Sequence, residues 1–142
     1  MEIVRLTRTF GASPERVFRA WTEPQALRRW LSPGTHETAR AEVDLRVGGA
    51  YRIAMRRLAD GVTAYVTGTY REIRPPERLA FTWRWEDWPE DGESLVTVDL
   101  RDLGGSTEMV LTHERFPSVA SRDGHARGWE ECFDKLANAL TS

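Results

Sequence analysis

Three kinds of side chain in this chain could do chemistry: two histidines near its C-terminal end, aromatic residues on alternate positions, and one cysteine. His113 shares the parity of Thr107, Met109 and Leu111, so its imidazole is expected to face inward. There it could act as a general base or as a hydrogen-bond anchor for a ligand carbonyl, with Tyr51 as a second polar group. The plainer alternative is a strand-end histidine bonded to a neighbour. His125 lies four residues before Trp129 and reads as a helix-start residue partly in solvent. Tyr51, Met55, Trp83, Trp85 and Met109 fall on inward strand positions, and Trp129 and Phe133 on one helix stripe. Two readings stand for this set: a wall for a flat, hydrophobic or aromatic molecule, or side chains that fill a core.

Other reactive arrangements lack their spacing. No pair among His36, His113, His125 and Cys132 has H-x-x-x-H or C-x-x-C spacing, so no metal site is expected. No G-x-S-x-G or glycine-rich phosphate loop occurs, and no cofactor is implied. Cys132 has no basic cluster to stabilise a thiolate and is read as a packing residue. Asp44 and Arg46 are assigned to architecture, as members of a structural ion pair with other strand-end groups.

Composition narrows the class. The 142 residues fit one domain spanning 1–142. The 40% hydrophobic and 30% charged content suits an ordinary folded protein. A formal charge of −2 gives no reason to expect nucleic acid. All the cations except Lys135 are arginine, scattered through every segment, which fits codon bias. A single cysteine allows no internal disulfide and suits a reducing compartment. No signal-peptide pattern and no membrane-length apolar run are present, so a cytoplasmic, bacterial-type protein is expected.

The elements that must position these residues follow from periodicity. Residues 2–10 alternate as a strand. Ser13-Pro14 is an N-cap followed by a proline at the first helical position. Val17, Phe18 and Trp21 give that short helix an apolar face. Thr22-Glu-Pro-Gln25 matches a capping box for a second short helix carrying Leu27, Trp30 and Leu31. From residue 36 the period returns to 2. Ala39, Ala41, Val43 and Leu45 share one face, and Tyr51, Ile53 and Met55 continue inward after Gly48-Gly49. Asp60-Gly61, Asp91-Gly92 and Gly104-Gly105 mark turns. Gly68, inside a strand at about 62–73, suggests a bulge or sharp bend. Leu79, Phe81, Trp83 and Trp85 form the cleanest strand. A long helix starting near Ser121–Asp123 carries Trp129, Phe133, Leu136 and Leu140 on one stripe, with Ala126 and Ala137 beside them. The order β-α-α-β-β-β-β-β-β-α predicts an α+β domain. One long helix is held against a curved antiparallel sheet of about seven strands, with room for a hollow between them.

Several motifs carry a resemblance. Ala12-Ser-Pro-Glu-Arg-Val-Phe-Arg-Ala-Trp21 with Leu27 and Trp30 resembles the opening of the AHSA-like (heat-shock-chaperone ATPase activator) family. That family sits in the SRPBCC superfamily with START lipid-transfer and birch-pollen-allergen domains. Asp44-Leu-Arg-Val-Gly-Gly-Ala-Tyr51 is similar to its middle motif. Gly68-Thr-Tyr-Arg-Glu-Ile-Arg-Pro-Pro-Glu-Arg-Leu79 with Phe81-Thr-Trp83 resembles its central one. His125, Gly128-Trp129 and Leu136 match its final helix. The resemblance implies a helix-grip fold with a cavity between the last helix and the sheet. It leaves three functions open. The favoured one is a non-catalytic carrier or sensor for a small hydrophobic or aromatic molecule. The others are a cyclase, dehydratase or hydrolase-type enzyme using the same cavity, and a chaperone-linked or stress-response interaction module. An exposed edge strand makes a homodimer conceivable.

Overall fold

Period-2 alternation and the helical stripe sort the chain into two layers. The computed structural model describes residues 2–141. The elements run β1 (Glu2–Phe10), α1 (Pro14–Thr22), α2 (Pro24–Trp30), β2 (His36–Val43), β3 (Ala50–Arg57), β4 (Thr63–Arg74), β5 (Arg78–Trp85), a 3₁₀ turn (Pro89–Asp91), β6 (Ser94–Asp102), β7 (Thr107–Phe116) and α3 (Val119–Thr141). All strands pair antiparallel in one sheet of order β1-β7-β6-β5-β4-β3-β2. The six later strands form a meander, and β1 returns to pair with β7. Both helices of the β1–β2 crossover pack against α3. This is a helix-grip fold with the core between α3 and the sheet.

The stripe of α3 is buried through Trp129, Cys132, Phe133, Leu136 and Leu140. Each large apolar side chain withdrawn this way stabilises the fold by about 1.5–3 kcal/mol. Trp129 stacks on Phe133 with centroids 5.7 Å apart. Trp21 of α1 sits 5.7 Å from Trp129 and 4.6 Å from Trp30. The aromatic residues of the two short helices thus extend the core under α3.

Local chemistry explains most boundaries and corrects some. Ser13 caps α1 by accepting from the Arg16 amide at 3.3 Å. The expected capping box on α2 does not form. Thr22 belongs to the last turn of α1, where its hydroxyl donates to the Phe18 carbonyl at 3.0 Å. Glu23 is the N-cap instead and makes no side-chain cap bond. The last helix begins at Val119, earlier than Ser121–Asp123, because the Ser118 hydroxyl accepts from the Ser121 amide at 3.1 Å. Leu45 does not continue the row of Ala39, Ala41 and Val43. The strand stops at Val43, the backbone turns through Asp44–Gly49, and Leu45 is left 44% exposed. Asp44 and Arg46 pair with each other in that loop, at 2.9 Å, and not, among the described residues, with other strand-end groups as expected. Both are largely exposed, so the pair contributes only ~0–1 kcal/mol.

Gly68 serves close approach rather than a bulge; the register shift of β4 falls between Tyr70 and Glu72. A Cβ at Gly68 would meet the Thr82 carbonyl oxygen at 1.9 Å and the Tyr51 ring at 2.7 Å. Tyr51 is the cross-strand partner of Gly68 and lies against this gap. Its hydroxyl donates to that same carbonyl at 2.6 Å. A glycine covered by a cross-strand aromatic ring lets adjacent strands approach without leaving a void.

Candidate functional site

The space between α3 and the sheet is filled at one end and open at the other. Tyr51, Met109, His113 and Phe133 lie in the filled part, each at most 5% exposed. A void of about 20 Å³ remains near Tyr51, under α2. At the N-terminal half of α3 a cleft of about 540 Å³ opens. Met55 of β3 and Trp83 and Trp85 of β5 form its sheet wall, and Trp129 and Cys132 its helix wall. Leu31, Pro33 and Trp88 edge it. Of the residues singled out from sequence, Met55, Trp83, Trp85 and Trp129 therefore meet at the cleft, while the other four are packed behind it.

The cleft stays open because α3 has no bulk there. Gly124 and Gly128 stand one turn apart on the lining face, and a Cβ on either would touch nothing within 4 Å. Residues four apart share a helix face, so two glycines at this spacing leave a continuous gap. A helix interior loses roughly 1 kcal/mol at each such glycine relative to alanine. Neither glycine is needed for backbone conformation, so the gap itself is the feature their presence creates.

Two histidines brace the aromatic walls, both as neutral rings. The Trp129 indole N–H donates to His113 Nδ1 at 3.0 Å, so Nδ1 carries no proton. His113 Nε2 therefore holds it and donates to Ser94 Oγ at 2.7 Å. The Ser94 hydroxyl passes on to the Trp83 carbonyl at 3.2 Å. His125 has the opposite tautomer. Its Nδ1 faces the Ser121 carbonyl at 2.7 Å and must donate, while Nε2 accepts from the Trp85 indole at 3.0 Å. Burial pushes the His113 pKa well below its ordinary value, and nearby His125 pushes it the same way. Burial also lowers His125, against smaller opposing effects of the Ser121 bond and Asp91.

These assignments decide what the site can do. All four imidazole nitrogens are engaged, so neither ring offers a free lone pair to a substrate proton. The buried Tyr51 hydroxyl is committed to Thr82, and burial raises its pKa well above the ordinary value. Burial pushes the Cys132 thiol up to about 12, which keeps it protonated and poorly nucleophilic. The arrangement is equipped to hold a molecule by shape and apolar contact. No group of three or more potential metal ligands is found among the described residues.

His125, Trp88, Gly124 and Gly128 were not assigned to the site from sequence. His125 carried a usable signal, since it lies one turn before Trp129 on the same side of the helix. The two glycines carried another: a helix stripe with side chains missing at i and i+4. Trp88 sits beyond β5, where alternation no longer gives direction. A broader depression of about 650 Å³ lies elsewhere, around Arg78, Asp99 and Glu108. Its charges are largely matched by neighbours, with Arg78 bonded to Asp99 at 2.8 Å and Arg101 to Glu108 at 3.2 Å.

Fold and cleft together define a helix-grip domain of the SRPBCC type, a sheet and one long helix around an apolar recess. Residues 11–141 match the family model described as activator of Hsp90 ATPase homolog 1-like protein, and the chain belongs to that family. A Chromobacterium violaceum protein of known structure is 32% identical, covers 99% of this chain and 98% of its own, and superposes with a TM-score of 0.92. The AHSA1 protein of Silicibacter pomeroyi is 26% identical over 98% of this chain and 97% of its own, with a TM-score of 0.86. The mouse activator of 90 kDa heat shock protein ATPase homolog 1 is 26% identical over 130 residues, 92% of this chain. The match spans 34% of the mouse protein's length. No helix among the described residues is long and apolar enough to cross a membrane.

Proposed function

We propose that this domain binds a small hydrophobic or aromatic molecule in the cleft between α3 and the sheet, as a non-catalytic carrier or sensor. The observation that carries this is the 540 Å³ recess left by Gly124 and Gly128 and walled by Trp83, Trp85 and Trp129. Sites for small ligands typically occupy about 300–1,000 Å³ and are mainly apolar with few polar groups. The saturated histidines favour binding over proton-transfer chemistry. Native mass spectrometry of protein purified from its own host should reveal a co-purified small molecule. Gly128→Leu should fill the recess, leave the fold intact and abolish that adduct. An adduct of unchanged occupancy in Gly128→Leu would refute the assignment.

A second reading has its own support. The family description and the mouse relative name activation of a heat-shock ATPase. Trp88 is 47% exposed beside the cleft, as a contact residue for another protein would be. Under this reading the domain stimulates the ATPase of the host's own 90-kDa chaperone, and Trp88→Ala weakens the stimulation. An unchanged chaperone turnover rate would exclude it.

A further inference from the structure

We propose that the indole N–H of Trp83 is the polar anchor of the cleft and selects neutral ligands that present an acceptor oxygen, such as aromatic ketones, quinones or lactones. The inference rests on the cleft being a ligand site and adds what it recognises.

Trp83 lies on the cleft wall and is only 4% exposed. Its Nε1 is the one buried side-chain nitrogen or oxygen without a hydrogen-bond partner among the described residues. The other enclosed indoles are all committed. Trp21 donates to Met109 Sδ, Trp30 to the Ala20 carbonyl, Trp85 to His125 and Trp129 to His113. Four enclosed indoles are paired and the fifth, on the cleft wall, is unmet. Buried donors are rarely orphaned, because losing water without gaining an acceptor is destabilising.

The surroundings define the complementary group. An N–H can only donate, so the ligand atom must be an acceptor. No lysine or arginine lines the cleft, and its one carboxylate is Asp91. His125 is neutral by its hydrogen bonds. An anionic ligand would find no counter-charge and would meet Asp91. The walls are aromatic and favour an apolar or aromatic frame; Trp83 packs against Trp129 and Trp85 with centroids 5.1 and 5.7 Å away. The Nε1 atom is closed off from solvent, so the bond forms only if the indole shifts. Trp83 also borders the 20 Å³ void beneath the cleft, which gives it slack on that side.

Two neutral probes of one shape test this. One is 6-propionyl-2-dimethylaminonaphthalene; the other is its 6-propyl analogue, with the carbonyl replaced by CH₂. The wild-type chain should bind the ketone about 2- to 13-fold more tightly, as one net hydrogen-bond energy allows. Trp83→Phe trims the cleft wall for both probes alike, and should bring that ratio to about one whatever the two absolute affinities become. In ¹⁵N-labelled wild-type protein, the Trp83 indole N–H should move downfield with the ketone and not with the propyl probe. That reading is assigned through space, so it decides the matter even if Trp83→Phe fails to fold. Equal binding of the two probes, a ratio retained in Trp83→Phe, or an unmoved Trp83 resonance would each overturn the anchor alone. Binding of neither probe to the wild type would overturn the ligand cleft itself, and the anchor with it.

Discussion

Acid should loosen this fold well before its carboxylates titrate, and the two neutral histidines set the size of the effect. His113 is completely buried, and both of its nitrogens are engaged as the neutral ring requires. His125 is held the same way between Trp85 and Ser121. Both folded pKa values are lowered from 6.5, His113 strongly. The sign follows from linkage. Above about pH 6.5 neither state is protonated and the full stability is present. As pH falls below that value, the unfolded histidines take up protons and the folded ones do not, so stability is lost until the lowered folded values are reached. Each histidine contributes a slope of up to ~1.4 kcal/mol per pH unit, so the pair reaches up to ~2.7. Integrated from pH 7 to 5.5, this removes up to about 2.5 kcal/mol, a large share of a typical 5–15 kcal/mol total. Burial also lowers His36, adding in the same direction but more weakly because solvent screens it. Urea unfolding followed by far-UV circular dichroism at half-unit pH steps measures the slope. His125→Gln should reduce it by up to one proton's worth. A stability that is flat between pH 7 and 5.5, or a folded-state His113 that takes up a proton near pH 6.5, would refute the neutral-pair assignment.

Three further outcomes follow from local geometry. Gly124→Ala and Gly128→Ala should each raise stability by about 1 kcal/mol, since the new methyl meets no atom and the helix loses an entropic penalty; a lower urea midpoint in either would show that the helix face is already in contact. Lys135 donates to Ser32 Oγ, the Pro33 carbonyl and the His36 carbonyl, each at 3.0 Å, and so ties α3 to the segment after α2. Lys135→Met should cost about 1–3 kcal/mol in chemical denaturation, and an unchanged midpoint would mean that solvent replaces all three bonds without loss. Cys132, buried with its thiol pushed up to about 12, should react with a thiol-specific disulfide reagent only on unfolding. Rapid labelling of the native chain at pH 8 would contradict that burial.

Which residues share a face was legible along the chain. The alternation of Leu79, Phe81 and Trp83 placed them inward, and the Trp129–Leu140 stripe marked the gripped helix, because both periods are properties of local backbone geometry. The turn glycines and the Ser13-Pro14 helix start were readable for the same reason. Errors arose where a side chain had two local partners to choose between. Thr22 bonded back into α1 instead of capping α2, and Ser118 opened α3 before its apolar stripe begins.

The sequence by itself determined that a long amphipathic helix must bury an aromatic face on an antiparallel sheet, and which side chains stand on the facing surfaces. Tertiary structure alone decided which of them meet a hollow and which meet each other. Tyr51, Met109, His113 and Phe133 share the inward direction with Met55, Trp83, Trp85 and Trp129, yet the first four are sealed in the core and the second four edge a cleft. Periodicity gives direction but not distance. The gap between helix and sheet depends on what each opposing element lacks, and here it opens where Gly124 and Gly128 place nothing opposite β5.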